Sequence, residues 1–284
     1  GVSFQSYSFN GHQWALPVDT AAPVASSRPD LLKKNDLKLP DNYNELLELC
    51  KRKLVAFPAI PIDTLMNFYM FCIAFGEEPF QRKDQVISKR IGMEALDVMR
   101  ELATYLDPEC FECNPIRIYE KMSQTDEIAY CPFAYGYANY ARRFYSSKIL
   151  KFHDLISFRN TDKLRSTLGG AGLAVSAASK NVKAACDYAG YVAAAETQQS
   201  IYAESGGQPG HRQAWISEYV NDMYGNYFKE TLPVLERSFL RPRYDGYAHF
   251  QDHAGDPIRE FMMKGGESQT VLQKVNQLYK ESIK

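Results

Sequence analysis

No segment of this sequence is apolar for long enough to cross a bilayer: the most apolar stretch, Met66 to Phe75, is too short and carries Asn67. Charge of one sign is not in excess either. The chain sets 33 Lys and Arg against 34 Asp and Glu, a formal net charge of −1, with the signs mixed. No basic bias asks for nucleic acid, and no polybasic run asks for an anionic membrane surface. Cysteine is too sparse for a small secreted disulfide scaffold, with 6 in 284 residues. Cys50, Cys72 and Cys186 fall within apolar helical patterns and read as small core residues. Cys110-Phe111-Glu112-Cys113 is a single CxxC framed by Pro108 and Pro115. With no second pair and no nearby His pair, it reads first as incidental or as a local disulfide, with metal and redox roles behind. Catalytic signatures are missing: there is no GxSxG, Walker A loop, HExxH or GxGxxG. The chain opens at Gly1 without a signal peptide, so it reads as processed or shortened. It also lacks repeats and Pro- or Ser-rich linkers, so any second lobe must be interleaved in sequence.

What is present is an aromatic-rich chain, 13% Phe, Trp and Tyr with 19 Tyr, long enough for one large domain or two ordinary ones. Asn10-Gly11 predicts a tight hairpin whose second strand ends at Pro17. Asn42-Tyr43-Asn44-Glu45 predicts a capped helix start. Further helices are predicted from Asp63 to Phe75 and from about Gln85 to Leu106. Asp126 to Phe133 reads as a short buried strand stopped by Pro132. Gly172 to Ala177 reads as the clearest strand, and Ser179 as the N-cap of the helix that ends at Gly206-Gly207. Trp215 to Phe239 is predicted mostly helical, divided at Gly225 and Pro233. Asp256-Pro257 reads as the start of a short helix closed by Gly265-Gly266. Strands alternating with more abundant helices give an α/β class.

Several constellations are candidates for binding. Gly169-Gly170-Ala171-Gly172 precedes a strand rather than following one, so it reads as a crossover with close backbone approach. Gln208-Pro209-Gly210-His211-Arg212 is the most polar cluster, either an exposed type II turn or a set of cleft donors. His211 as a general base lacks a nucleophile motif. His249 and His253 have metal-ligand spacing, but Gly246 and Gly255 argue against a helix there, so no metal or cofactor is expected. Tyr135 and Tyr137 follow a strand end, where aromatic faces suit the apolar face of a sugar ring. Trp14 and Asp19 flank another strand end, and Asp63 reads as an N-cap or a cleft residue.

Taken in order, these segments resemble the sugar-type extracellular solute-binding proteins of ABC importers. Trp14-Ala15-Leu16-Pro17 with Asp19 resembles a first crossover strand. Ile128 to Tyr140 resembles the strand and aromatic loop at the cleft, and Leu168 to Ala177 the return crossover. Arg241-Pro242-Arg243-Tyr244, with Tyr247, resembles a late segment reaching the cleft. The resemblance implies a two-lobed, type II periplasmic-binding-protein-like α/β fold closing by a hinge. One lobe would hold residues 1–17 and 169–212, the other 18–168 and 213–284. The family's first strand–helix–strand portion has no counterpart here, so the first lobe is expected to be a remnant. The implied function is capture of a small solute, a sugar above all, for a membrane permease, without catalysis. Such a protein would be monomeric, periplasmic or extracellular, and tethered where a lipid anchor is present. Trp14, Asp19, Asp63, Tyr135, Tyr137, Gly170, Gln208, His211, Arg243 and Tyr247 are the expected ligand contacts. The competing readings are a hydrolase pairing His211 with a carboxylate such as Asp19, and a receptor for a non-sugar solute.

Overall fold

Asn10 and Gly11 both take positive φ, 54° and 76°, and fold β1 (Ser8–Phe9) back onto β2 (His12–Gln13). The computed structural model describes residues 1–159 and 162–283. The remaining strands are β3 (Leu16–Pro17), β4 (Pro23–Ser27), β5 (Tyr130–Tyr135), β6 (Lys151–His153) and β7 (Gly172–Leu173). β3 pairs antiparallel with β7, Leu16 opposite Leu173. β4 is buried along its whole length and lies between β5 and β6, antiparallel to both. β5 does not stop at Pro132. The register shifts between Val24 and Ser26 of β4, opposite Pro132 and Phe133, and such a bulge on an edge strand tolerates a residue with no N–H to donate.

The core gathers around one helix. Pro61–Ala74 starts at Pro61 with Ile60 as its cap, so Asp63 lies inside the first turn, and every residue from Asp63 to Cys72 is buried. It packs against Tyr247–Lys264, with Lys89–Ala103 and Ser268–Ser282 against the pair. Gly255 makes that contact possible: a Cβ there would lie 1.9 Å from the Pro61 carbonyl oxygen. The same helix overturns the reading of Asp256-Pro257 as a start. Tyr247–Lys264 runs unbroken through Pro257, because buried Phe250 and Ala254 before it and Ile258 and Phe261 after it pack on a common core. Proline's lost hydrogen bond is outweighed by that burial. His249 and His253 therefore do share a helix, their rings 4.4 Å apart, although no group able to hold a metal ion occurs among the described residues.

Other boundaries moved for local reasons. Asn42 caps Tyr43–Lys51 as predicted, its Oδ1 accepting from the Glu45 N–H at 3.0 Å. Lys89–Ala103 is shorter than the Gln85–Leu106 prediction at both ends. The 172–177 strand shrinks to Gly172–Leu173 because its partner β3 offers two residues. Asn181, not Ser179, precedes Val182–Ala193, and the expected long helix then breaks at Ala194 and Ser200 into Ala195–Gln199 and Ile201–Glu204. Arg212–Ile216, Glu218–Met223 and Tyr227–Glu236 are separate helices, broken at Ser217 and around Gly225, while Pro233 sits inside the last. Val182–Ala193 is apolar yet buries only Ala189. Its Cys186 is exposed, a correction to the core reading, whereas the other five cysteines are buried and all six are unpaired. No helix is long and apolar enough to cross a membrane among the described residues.

Candidate functional site

The two crossover segments lie side by side. The Gly169 N–H donates to the Ala21 carbonyl at 2.7 Å, the Ala21 N–H returns to Gly169 O at 3.2 Å, and the Ala171 N–H reaches Asp19 O at 3.2 Å. Residues 18–21 and 169–171 thus continue the β3–β7 ladder into a narrow ribbon. Gly170 has a φ of +130°, and a Cβ on it would lie 2.3 Å from Asp19 O, so no larger residue fits. Its own N–H makes no hydrogen bond within the described residues.

On one side of this ribbon opens a cleft of about 440 Å³, lined by Asp19, Tyr135, Tyr137, Asn139, Tyr202 and Gly207 among others. Burial pushes the Asp19 carboxyl up to about 6, and no hydrogen bond to its side chain occurs among the described residues. The Tyr135 hydroxyl bonds Thr167 Oγ1 at 2.9 Å, and its ring lies against Gly169, where a Cβ would come within 2.6 Å of Tyr135 Cε1. Tyr137 is 42% exposed. Asn139 Nδ2 donates to Gly206 O at 3.0 Å, while its buried Oδ1 has no partner.

Gln208 holds the rim rather than waiting for a ligand. Its Nε2 donates to Thr20 O at 3.0 Å and its Oε1 accepts from the Ala138 N–H at 3.0 Å, pinning the Gly206–Pro209 loop to the ribbon and to the aromatic loop. Gln198 performs a similar duty beneath it, accepting from the Gly210 N–H at 2.6 Å while donating to Val18 O at 3.3 Å. Sequence reasoning missed Gln198, Tyr202 and Asn139. Glutamine in an Ala-rich helix and tyrosine before a Gly pair carry no local mark of what they will meet.

On the other side of Gly170 lies a second hollow of about 240 Å³, lined by Ser3, Tyr7, Gly170, Arg241, Arg243 and Tyr247 among others. Arg241 Nη1 donates to Gln251 Oε1 at 2.6 Å, and Arg243 lies 5.5 Å from the Tyr7 ring centroid. Neither guanidinium has an ion-pair partner among the described residues. The Tyr247 hydroxyl is buried beside that of Tyr69, and burial, outweighing the Tyr69 hydroxyl and the nearby Arg241 charge, pushes it up to about 12.

Of the expected contacts, the fold brings Asp19, Tyr135, Tyr137, Gly170 and Gln208 to the cleft, and Gly170, Arg243 and Tyr247 to the adjoining hollow. Three fall elsewhere. Trp14 stacks on Phe9 in the hairpin, ring centroids 5.2 Å apart, and donates its Nε1–H to Phe9 O. His211 caps Arg212–Ile216, its Nδ1 accepting from the Gln213 N–H at 3.2 Å, and no carboxylate bonds it among the described residues, which leaves the hydrolase pairing without geometry. Asp63 is 5% exposed inside the core helix, its Oδ2 unpartnered, and burial lifts its carboxyl to about 7.

No protein-family model and no curated protein matches the chain. Solved structures do. Maltose-bound MalE3 of T. maritima superimposes with a TM-score of 0.85 at 17% identity, over 99% of this chain and 75% of that one. A solute-binding protein of an ABC transporter from Agrobacterium radiobacter K84, in complex with ribitol, gives 0.81 at 18%, over 99% and 74%. One from Thermotoga lettingae TMO bound with α-D-tagatose gives 0.80 at 17%, over 98% and 74%. The chain therefore has the two-lobed, periplasmic-binding-protein-like α/β fold of the ABC-transporter solute-binding proteins.

Proposed function

We propose that this chain captures a small hydroxylated solute, a carbohydrate or polyol, and delivers it to the permease of an ABC importer without chemical change. The observation that carries the reading is the Asp19 carboxylate, desolvated and unpaired, facing a cleft of about 440 Å³ walled by Tyr135, Tyr137 and Tyr202. A carboxylate accepts from two sugar hydroxyls, and tyrosine faces cover the C–H surface of a ring. Maltose, ribitol and tagatose in the neighbouring structures are ligands of that class.

In this reading residues 1–17 and 169–212 belong to one lobe, residues 18–168 and 213–284 to the other, and the ribbon of 18–21 against 169–171 is the hinge. The protein would work as a monomer on the periplasmic or extracellular side, held to the membrane where a lipid anchor is attached. Calorimetric titration with mono- and oligosaccharides and polyols tests it. Saturable binding, with the ligand recovered intact, is the expected result. Turnover of the ligand would replace the receptor with an enzyme, and silence across the panel would remove the carbohydrate.

A further inference from the structure

The hollow beyond Gly170 has the wrong chemistry for a neutral sugar alone. Arg241 and Arg243 both line it, with no carboxylate in ion-pair reach among the described residues. Arg241 satisfies one nitrogen on Gln251, and Arg243 rests over Tyr7, so most of ten guanidinium N–H donors are left for solvent or ligand. The other polar groups add to the same bias. The Gly170 N–H is unbonded within the described residues. Ser3 Oγ accepts from Thr20 Oγ1 at 3.2 Å, which leaves its own proton to donate. Donors thus converge on a hollow that shares Gly170 with the cleft holding Asp19.

We infer that the solute is anionic: a sugar or polyol bearing a phosphate or carboxylate group, its hydroxylated part in the Asp19 cleft and its charged group on Arg241 and Arg243. This rests on the receptor reading above and narrows it. Guanidinium groups bind both anions in bidentate fashion, so phosphate and carboxylate are separated by experiment.

The test is calorimetric titration with matched sets: glucose, glucose 1-phosphate and glucuronate; glycerol and glycerol 3-phosphate; ribitol and ribitol 5-phosphate; and inorganic phosphate alone. In at least one set the charged member should bind about tenfold or more tighter than its neutral partner, and which charged member wins identifies the group. That preference should shrink with added salt. Arg243→Gln, at an exposed position, and Arg241→Gln should each reduce the preference about tenfold. Neutral members binding as tightly as charged ones, with both variants indifferent, would overturn the anionic assignment and leave the receptor standing. Inorganic phosphate binding through the arginines, with no gain from any polyol, would keep the anion site and overturn the receptor. No binding by any probe overturns both.

Discussion

Asp19 is the residue on which the site turns. Its carboxyl rests at about 6 rather than 3.8 because burial disfavours the charged form. A carboxyl raised on folding favours the native state below its ordinary range, and that contribution is lost as pH rises through about 6. Bound hydroxyls donate to the ionised form, so ligand affinity should fall as pH drops through about 6. Asp19→Asn should weaken binding about tenfold at neutral pH and flatten the profile. Titrations across that range check both, and a wild-type profile as flat as the variant's would remove Asp19 from the site. Asp19, Gly170 and the two tyrosines could be singled out from sequence because each sits in a run with its own signature, a glycine cluster or an aromatic strand end. Trp14 also flanks a strand end and His211 sits in the most polar turn, and nothing local distinguishes a ring that packs on Phe9, or an imidazole that caps a helix, from one that meets a ligand.

Among the elements, the helix Tyr247–Lys264 packs closely against Pro61–Ala74. Gly255→Ala would drive a methyl to within 1.9 Å of the Pro61 carbonyl, backbone that cannot turn aside. We expect a loss of about 2–4 kcal/mol. Gly190→Ala in the exposed Val182–Ala193 helix, where nothing lies within 4 Å, should instead gain up to about 1 kcal/mol. Urea midpoints of the two variants check this, and equal shifts would refute the close approach. The same join explains which boundaries sequence could show. The Asn10-Gly11 hairpin and the Asn42 cap rest on neighbours in the chain and were readable. Pro132 read as a strand stop and Pro257 as a helix start, because a strand edge and a two-sided helix packing are supplied by residues far away in sequence.

At the scale of the whole molecule, the order of segments was enough to suggest the fold, since each crossover and each capped helix keeps its place along the chain. Identities of 17–18% carry the architecture and not the contacts, which is why Gln198, Tyr202 and Asn139 emerged only from the folded chain. In the proposed reading the lobes close on the ligand by bending at the ribbon of 18–21 against 169–171. Saturating ligand should lower the radius of gyration in small-angle scattering. An unchanged radius at full occupancy would mean capture without closure.

Five of the six thiols lie buried and Cys186 stands alone in solvent. For burial-raised Cys50, held near 12, and Cys110, near 11, almost no thiolate exists at neutral pH to attack a reagent. Folded chain should therefore take up one equivalent of a maleimide, and unfolded chain all six. Cys186 is thus a single addressable thiol on the exposed helix Val182–Ala193, where a fluorophore can be attached with no mutation.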